Sequence, residues 1–431
     1  MLGVTFPLEL ATLVARLDDP IAALDAAIDA AVLERRPDGS LSFGHPLVHA
    51  AIYNALSASR RHRLHAAAAS ATSGPTALVH RVNAAAGPDA DLAGELVARA
   101  VAEADAGAHS QAAQLLESAA RLTAHPHTRE RLTLESVEML YVGGDFVRAT
   151  AMRPVVEACG DGPRRTCVLG LMAFAAGRIR EAETLLAETL DAVDADERLA
   201  AWGTRAATTL GFARLLLGDW QGALSAADAA LAGDLTWERS VSQFTVVVAL
   251  TRLGRVDEAR RRLIEVTGDG VATNRPGTLD VLAARGMASL VDDDLPAAHA
   301  DLAAVARRAR AGERIRMHEF ALVNLAEVDF LYGQWDDALT NIDLAVSLGT
   351  QSGRSWALVS AHCLGATIRA CLGRFDEAET HLHEAELVGL ESDSWLSHGR
   401  TAIARATVAD ARGDPAGSTR SWRGLSLSHE S

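Results

Sequence analysis

The chain of 431 residues contains no lysine: all 41 basic residues are arginine, set against 56 acidic ones, for a formal net charge of −15. Without lysine there is no P-loop of the form G-x-x-x-x-G-K-[ST], whose Lys must reach the nucleotide phosphates. The acidic balance argues against a general nucleic-acid surface, since phosphate binding needs clustered cations. Aromatic residues make up only 4%, and the longest apolar runs, such as Val246–Leu250, are far too short to span a bilayer. The N-terminus carries Glu9 and Asp18 and lacks a basic flank before an apolar stretch, so no signal peptide is expected. Cysteine is scarce too: Cys159/Cys167 and Cys363/Cys371 form two C-x7-C pairs. The second pair shares a helical face and reads as small buried apolar residues in a reduced, cytoplasmic protein.

What the chain does have is a recurring phrase. A small residue is followed seven positions later by Gly or a polar substitute, and five positions after that by Ala. The phrase runs Ala100/Gly107/Ala112, Val137/Gly144/Ala149, Gly170/Gly177/Ala182, Gly211/Gly218/Ala223, Val247/Gly254/Ala259, Gly286/Asp293/Ala298, Ala326/Gly333/Ala338, Ala366/Gly373/Ala378 and Ala406/Gly413/Ser418. Spacing of this kind marks stacked helix pairs of the tetratricopeptide type. The two small residues, 12 apart, face each other where two helix backbones approach closely. The middle residue ends the first helix in a left-handed conformation. Two residues on comes a corner plug: Phe146, Ile179, Trp220, Val256, Leu295, Trp335 or Phe375. Four residues after each Ala the second helix returns to the core, at Leu116, Leu186, Leu263, Leu302, Ile342, Leu382 and Trp422. The fold class expected is all-α, a tetratricopeptide-like solenoid of about nine helix pairs over residues 90–431.

The first 72 residues differ. Thr5–Leu17 reads as a helix, and Asp19-Pro20 opens a second one running to about Val32. Two short segments around Pro37-Asp38-Gly39 read as a β-hairpin. Helices follow at His45–Leu56 and Ser57–Ala71, then a linker and connecting helix over residues 73–89, opened by Ser73-Gly74-Pro75. Helices around a hairpin suggest a small winged-helix-like unit.

Within it, the run Phe43-Gly44-His45-Pro46-Leu47-Val48, Tyr53, Leu56, Arg60-Arg61 and Leu64-His65 resembles the segment that follows the ATPase in large ATP-binding LuxR-family transcriptional regulators, relatives of the maltose-operon activator. The resemblance implies a P-loop ATPase upstream, a winged helix, a tetratricopeptide-like sensor array, and a C-terminal helix-turn-helix. Neither the P-loop nor the helix-turn-helix is found in these residues, so the chain looks like the central fragment of such a regulator.

Catalytic and metal motifs fail one by one. His318-Glu319 and His383-Glu384 lack the second His of H-E-x-x-H, and His381 and His383, on different helix faces, read as solvated. Gly160–Arg165 and Gly268–Thr273 read as inter-repeat loops, and Asp336-Asp337 and Asp376-Glu377 suit the first turns of second helices. No enzyme, metal or cofactor is expected. Arg60-Arg61-His62-Arg63 reads as a solvated face in preference to a DNA-reading one. The Arg260–Arg262 and Arg307–Arg310 clusters likewise read as exposed second-helix faces.

Trp202, Trp237, Trp356 and Trp395 precede their repeat's middle Gly by 16 to 18 residues, near the start of first helices. First helices line the concave surface of such superhelices, and Trp is enriched in binding hot spots. The four are candidate groove residues, with inter-repeat packing as the competing role. The function expected is sensing: a protein partner or small-molecule inducer held on the concave face, with no direct nucleic-acid or membrane binding. The alternative is a stand-alone tetratricopeptide scaffold.

Overall fold

The computed structural model describes residues 2–193, 200–233, 236–267, 278–313, 315–353, 355–390, 394–419 and 421. The chain divides into two compact units, Met1–Ser136 and Val137–Ser431.

In the first unit β1 (Thr5–Phe6), β2 (Leu33–Arg35) and β3 (Leu41–Phe43) form an antiparallel sheet in the order β1-β3-β2. The β2–β3 hairpin turns at Pro37-Asp38-Gly39, with Arg36 N–H donating to the Ser40 carbonyl at 2.8 Å. Around it lie α1 (Leu8–Ala15), α2 (Pro20–Asp29), α3 (Pro46–Ala55), α4 (Ala58–Ala71) and α5 (Gly74–Ala84). The expected helix from Thr5 is corrected: Thr5 and Phe6 pair with Ser42 and Leu41. Pro7, extended and without an N–H, lets the helix start only at Leu8. The second helix stops at Asp29 rather than near Val32 because Ala31 turns left-handed, φ 55°. A pair, α6 (Ala90–Asp105) and α7 (His109–Leu122), completes the elements lying wholly in this unit.

After α8 (Pro126–Val142), which spans the division, helices alternate as first and second members of pairs. α8 pairs with a second helix in two pieces, α9 (Phe146–Ala151) and α10 (Arg153–Glu157); then come α11 (Pro163–Ala175) and α12 (Ile179–Val193), α13 (Ala200–Leu217) and α14 (Trp220–Leu231), α15 (Thr236–Arg252) and α16 (Val256–Thr267). They continue as α17 (Thr278–Val291) and α18 (Leu295–Arg310), α19 (His318–Leu331) and α20 (Trp335–Ser352), α21 (Ser355–Cys371) and α22 (Phe375–Leu390), and α23 (Trp395–Ala411). Helix resumes at 415–419. The second helix of its pair is broken into α9 and α10 where Pro154 removes a backbone donor.

One corner geometry repeats nine times. The middle residue of every phrase has φ between 58° and 82°. The next residue donates its N–H back across six residues of the first helix, for example Asp219 to the Arg214 carbonyl at 2.9 Å and Asp294 to the Ser289 carbonyl at 2.9 Å. At Asp145, Asp219 and Asp294 that same residue caps the second helix with its carboxylate. Each of the seven plug residues is the first residue of its second helix. Phe146 and Ile179 are buried; the other five are half-buried.

All nine small residues and all nine partners 12 positions on are buried, eight of the latter being fully enclosed alanines. The approach is close: a Cβ at Gly170 would stand 2.8 Å from Leu186 Cγ, and one at Gly286 2.7 Å from Leu302 Cγ. Leu116, Leu186, Leu263, Leu302, Ile342 and Leu382 are buried as expected, while Trp422 lies outside the described residues. All four cysteines are free thiols. The shared burial of the second pair is corrected: Cys363 is buried, but Cys371, the last residue of α21, is exposed.

Candidate functional site

In the second unit the first helices present their inner faces to a common space. Buried polar contacts join the N-terminal halves of α13, α15 and α17 to one another and to α8. Arg205 on α13 pairs with Glu138 on α8 and, at 2.8 Å, with Glu238 on α15. Burial would raise the Glu238 carboxyl, yet Arg205 and Arg316 outweigh it and hold the group below the usual range. Asp280 on α17 is buried and accepts from the backbone N–H of Arg316 and Met317 at 2.8 and 2.9 Å, capping α19 from a neighbouring helix. Its other oxygen accepts from Ser240 Oγ at 3.0 Å. Burial still pushes the Asp280 pKa up despite these donors. These ionisable groups are explained by their partners.

Further along the same helices the character changes to apolar. Phe174, Phe212, Phe244 and Phe320 form a chain of edge and tilted contacts with centroid separations of 5.7, 6.0 and 5.0 Å. Beside the last three opens a cavity of about 50 Å3, whose wall includes Val248, Met287, Val323 and Leu216. That is room for a few waters or the end of one inserted group. Polar atoms reach it from Ser360, Ser397, Arg252 and Arg400. The lining follows a helical face: Phe212, Val248 and Met287 stand six residues before their middle residue, Phe244 and Val323 ten, and Phe320, Ser360 and Arg400 thirteen. α13 and α23 meet across it, where Ser394 Oγ donates to the Leu216 carbonyl at 3.0 Å.

The tryptophan candidates divide. Trp202 is buried near the start of α13, with the Arg164 guanidinium 5.7 Å from its ring and Cys167 Sγ against its carbonyl. It does not line the cavity. Trp237, Trp356 and Trp395 stand at the openings of α15, α21 and α23, the last two one residue before the lining Ala357 and Leu396; their side chains lie outside the described residues. The cavity residues were not singled out from sequence, although their six–ten–thirteen spacing was available.

Elsewhere, His383 is exposed, but His381 is not simply solvated: its Nδ1 lies 3.0 Å from His362 Nδ1. Burial, chiefly, with Arg369 and His362, pushes His381 down to about 4. A similar pair, His65 and His80, sits in the first unit at 3.1 Å. Among the described residues no group of three or more His, Cys, Asp or Glu is arranged to hold a metal, and no helix is long and apolar enough to cross a membrane. Arg260 and Arg262 reach across repeats to Asp292 and Asp228, so these arginines serve inter-repeat ion pairs as well as a solvated face.

No family model matches the sequence, and no curated protein is significantly similar to it. Solved structures do resemble it. A Rap protein complexed with competence and sporulation factor aligns with a TM-score of 0.58 at 10% identity, over 79% of this chain and 98% of that one. A tetratricopeptide repeat protein from Parabacteroides merdae gives 0.40 at 14% identity, over 60% and 93%. A signal transduction ATPase with numerous domains and a tetratricopeptide repeat sensor, from Pyrococcus horikoshii, gives 0.40 at 13% identity, over 98% and 61%. At such identities the likeness speaks to fold alone. The fold is a tetratricopeptide-like helical repeat, an architecture suited to protein interaction or sensing.

Proposed function

We propose that the chain is the sensor and interaction segment of a LuxR-type transcriptional regulator, holding an inducer or protein partner on the inner face of its repeats and performing no catalysis itself. The observation that carries the binding half is the cavity between α13, α15, α19 and α23, an apolar recess with a few convergent polar groups. The regulator half rests on the Phe43–His65 resemblance, with the first unit acting as the winged-helix-like element. The Rap protein complexed with competence and sporulation factor offers a precedent of similar fold for an array that holds a bound factor.

A blocked cavity tests both halves. Ser360→Phe projects a ring into the recess from a half-buried position. In cells carrying the variant gene, a defined set of transcripts should lose its response while the protein remains folded. Loss of partner binding with an unchanged transcriptome would instead favour the stand-alone scaffold.

A further inference from the structure

Arg252, in the last turn of α15, and Arg400, on α23, stand on the wall of the same cavity. Arg252 is exposed and Arg400 half-buried, so both guanidiniums are open to an entering group at the rim of the recess. With the described residues neither guanidinium makes an ion pair or a hydrogen bond. Other arginines of this unit do: Arg285 grips Asp301 through two contacts of 2.6 Å, and Arg369 reaches Asp343 at 2.9 Å. Burial, and then the Arg400 charge, lower the Arg252 pKa, while Glu327 opposes this only through its longer-range field.

Two like charges at the rim of one apolar recess repel each other, and an anion placed between them relieves that repulsion. In a chain of net charge −15, an anion is repelled by the molecule as a whole and is admitted where cations converge. A guanidinium presents forked donors that match a carboxylate. The walls beyond the arginines are Phe212, Phe244, Phe320 and Leu216, which hold an apolar body by area burial.

We propose that this cavity receives the carboxylate-bearing end of an apolar acid, its head bridged between Arg252 and Arg400 and the adjoining carbons laid against the Phe212–Phe244–Phe320 wall. The inference rests on the reading of the inner face as the binding surface and specifies the chemistry it takes. That chemistry belongs to a small free acid or to the C-terminal carboxylate of a peptide ending in an apolar residue.

The test is calorimetric titration of the full chain with 3-phenylpropionate against 3-phenylpropionamide, and with Gly-Gly-Phe carrying a free or an amidated C-terminus. At least one carboxylate should bind saturably and about tenfold or more tightly than its amide, as expected for hydrogen bonds to charged groups. The arm that binds identifies the source. Arg252→Gln and Arg400→Gln should each abolish the preference, whereas Arg260→Gln, on a second-helix face, should not. Thermal midpoints without ligand separate a binding pair from a structural one: either cavity variant should keep or raise the midpoint, because it removes like-charge repulsion. Equal binding of amide and acid, itself lost in Ser360→Phe, would overturn the carboxylate inference and leave the inner-face reading standing. Failure of every carboxylate to bind, or lowered midpoints in both arginine variants, would also overturn it.

Discussion

Ser394 and Leu216, 178 residues apart in the chain, are joined by a hydrogen bond of 3.0 Å from the Ser394 hydroxyl to the Leu216 carbonyl. The same oxygen accepts from Ser397 N–H and caps α23. One buried hydroxyl thus both starts the last first-helix and ties it to the end of α13, where an orphan carbonyl needs a donor. Ser394→Ala should cost about 1–2 kcal/mol, the worth of a cap together with a buried hydrogen bond. Hydrogen exchange should quicken at both the opening of α23 and the end of α13. A change confined to α23 would mean that the tie contributes nothing.

The corner geometry makes a second prediction. Gly218 and Gly373 hold φ of 82° and 73°, where a β-branched side chain is strained. Gly218→Val and Gly373→Val should each lower stability by about 1 kcal/mol or more. Asp293 occupies the equivalent position at φ 58°, so Asp293→Gly should be neutral or stabilising. Denaturant midpoints check all three, and a loss in Asp293→Gly comparable to that in Gly218→Val would contradict the shared role.

Asp280 offers a third. Its carboxylate satisfies two backbone donors at the start of α19. Asp280→Ala leaves both buried, and should cost about 2 kcal/mol or more. Asp280→Asn retains an acceptor and should lose less. Equal effects would show that the charge, and not the capping, is what matters.

The His362–His381 pair makes stability depend on pH. Arg369, Asp343 and Glu384 surround it, and both histidines are pushed down, His381 to about 4 from an ordinary value of 6.5. In a folded chain that binds these protons less readily than an unfolded one, stability rises with pH over that interval. The contribution is complete above about pH 6.5 and is lost as pH falls toward 4. Proton NMR of the His381 ring should show titration near 4, and His381→Gln should flatten the midpoint–pH curve between 4 and 6.5. A ring titrating near 6.5 would contradict the burial and pairing.

Much of the array was legible because its determinants are local. The 12-residue spacing of Gly211 and Ala223, the left-handed Gly218 between them and the plug Trp220 all lie within one helical corner, so one repeat's worth of sequence specifies them. The early strand was missed because Thr5-Phe6 depends on pairing with Leu41-Ser42, a contact that helical periodicity does not register. The cavity was missed for a stronger version of the same reason. Phe212, Phe320 and Arg400 occupy recurring face positions, but their meeting depends on how α13 through α23 curve together, a sum of small rotations over many repeats. Nor does sequence distinguish Arg369, which finds Asp343, from Arg252, which finds no described carboxylate within ion-pair reach.

The inner-face account is tested most directly by photo-crosslinking from inside the recess. A benzophenone side chain in place of Val323, on the cavity wall, is compared with one in place of Ile264, an exposed second-helix position. Irradiation in cells producing the chain, followed by mass spectrometry, should yield a discrete adduct from position 323 that is absent from position 264 and is lost when Ser360→Phe is added. Adducts from position 264 alone, or a 323 adduct indifferent to Ser360→Phe, would contradict the claim that this chain binds through its inner face.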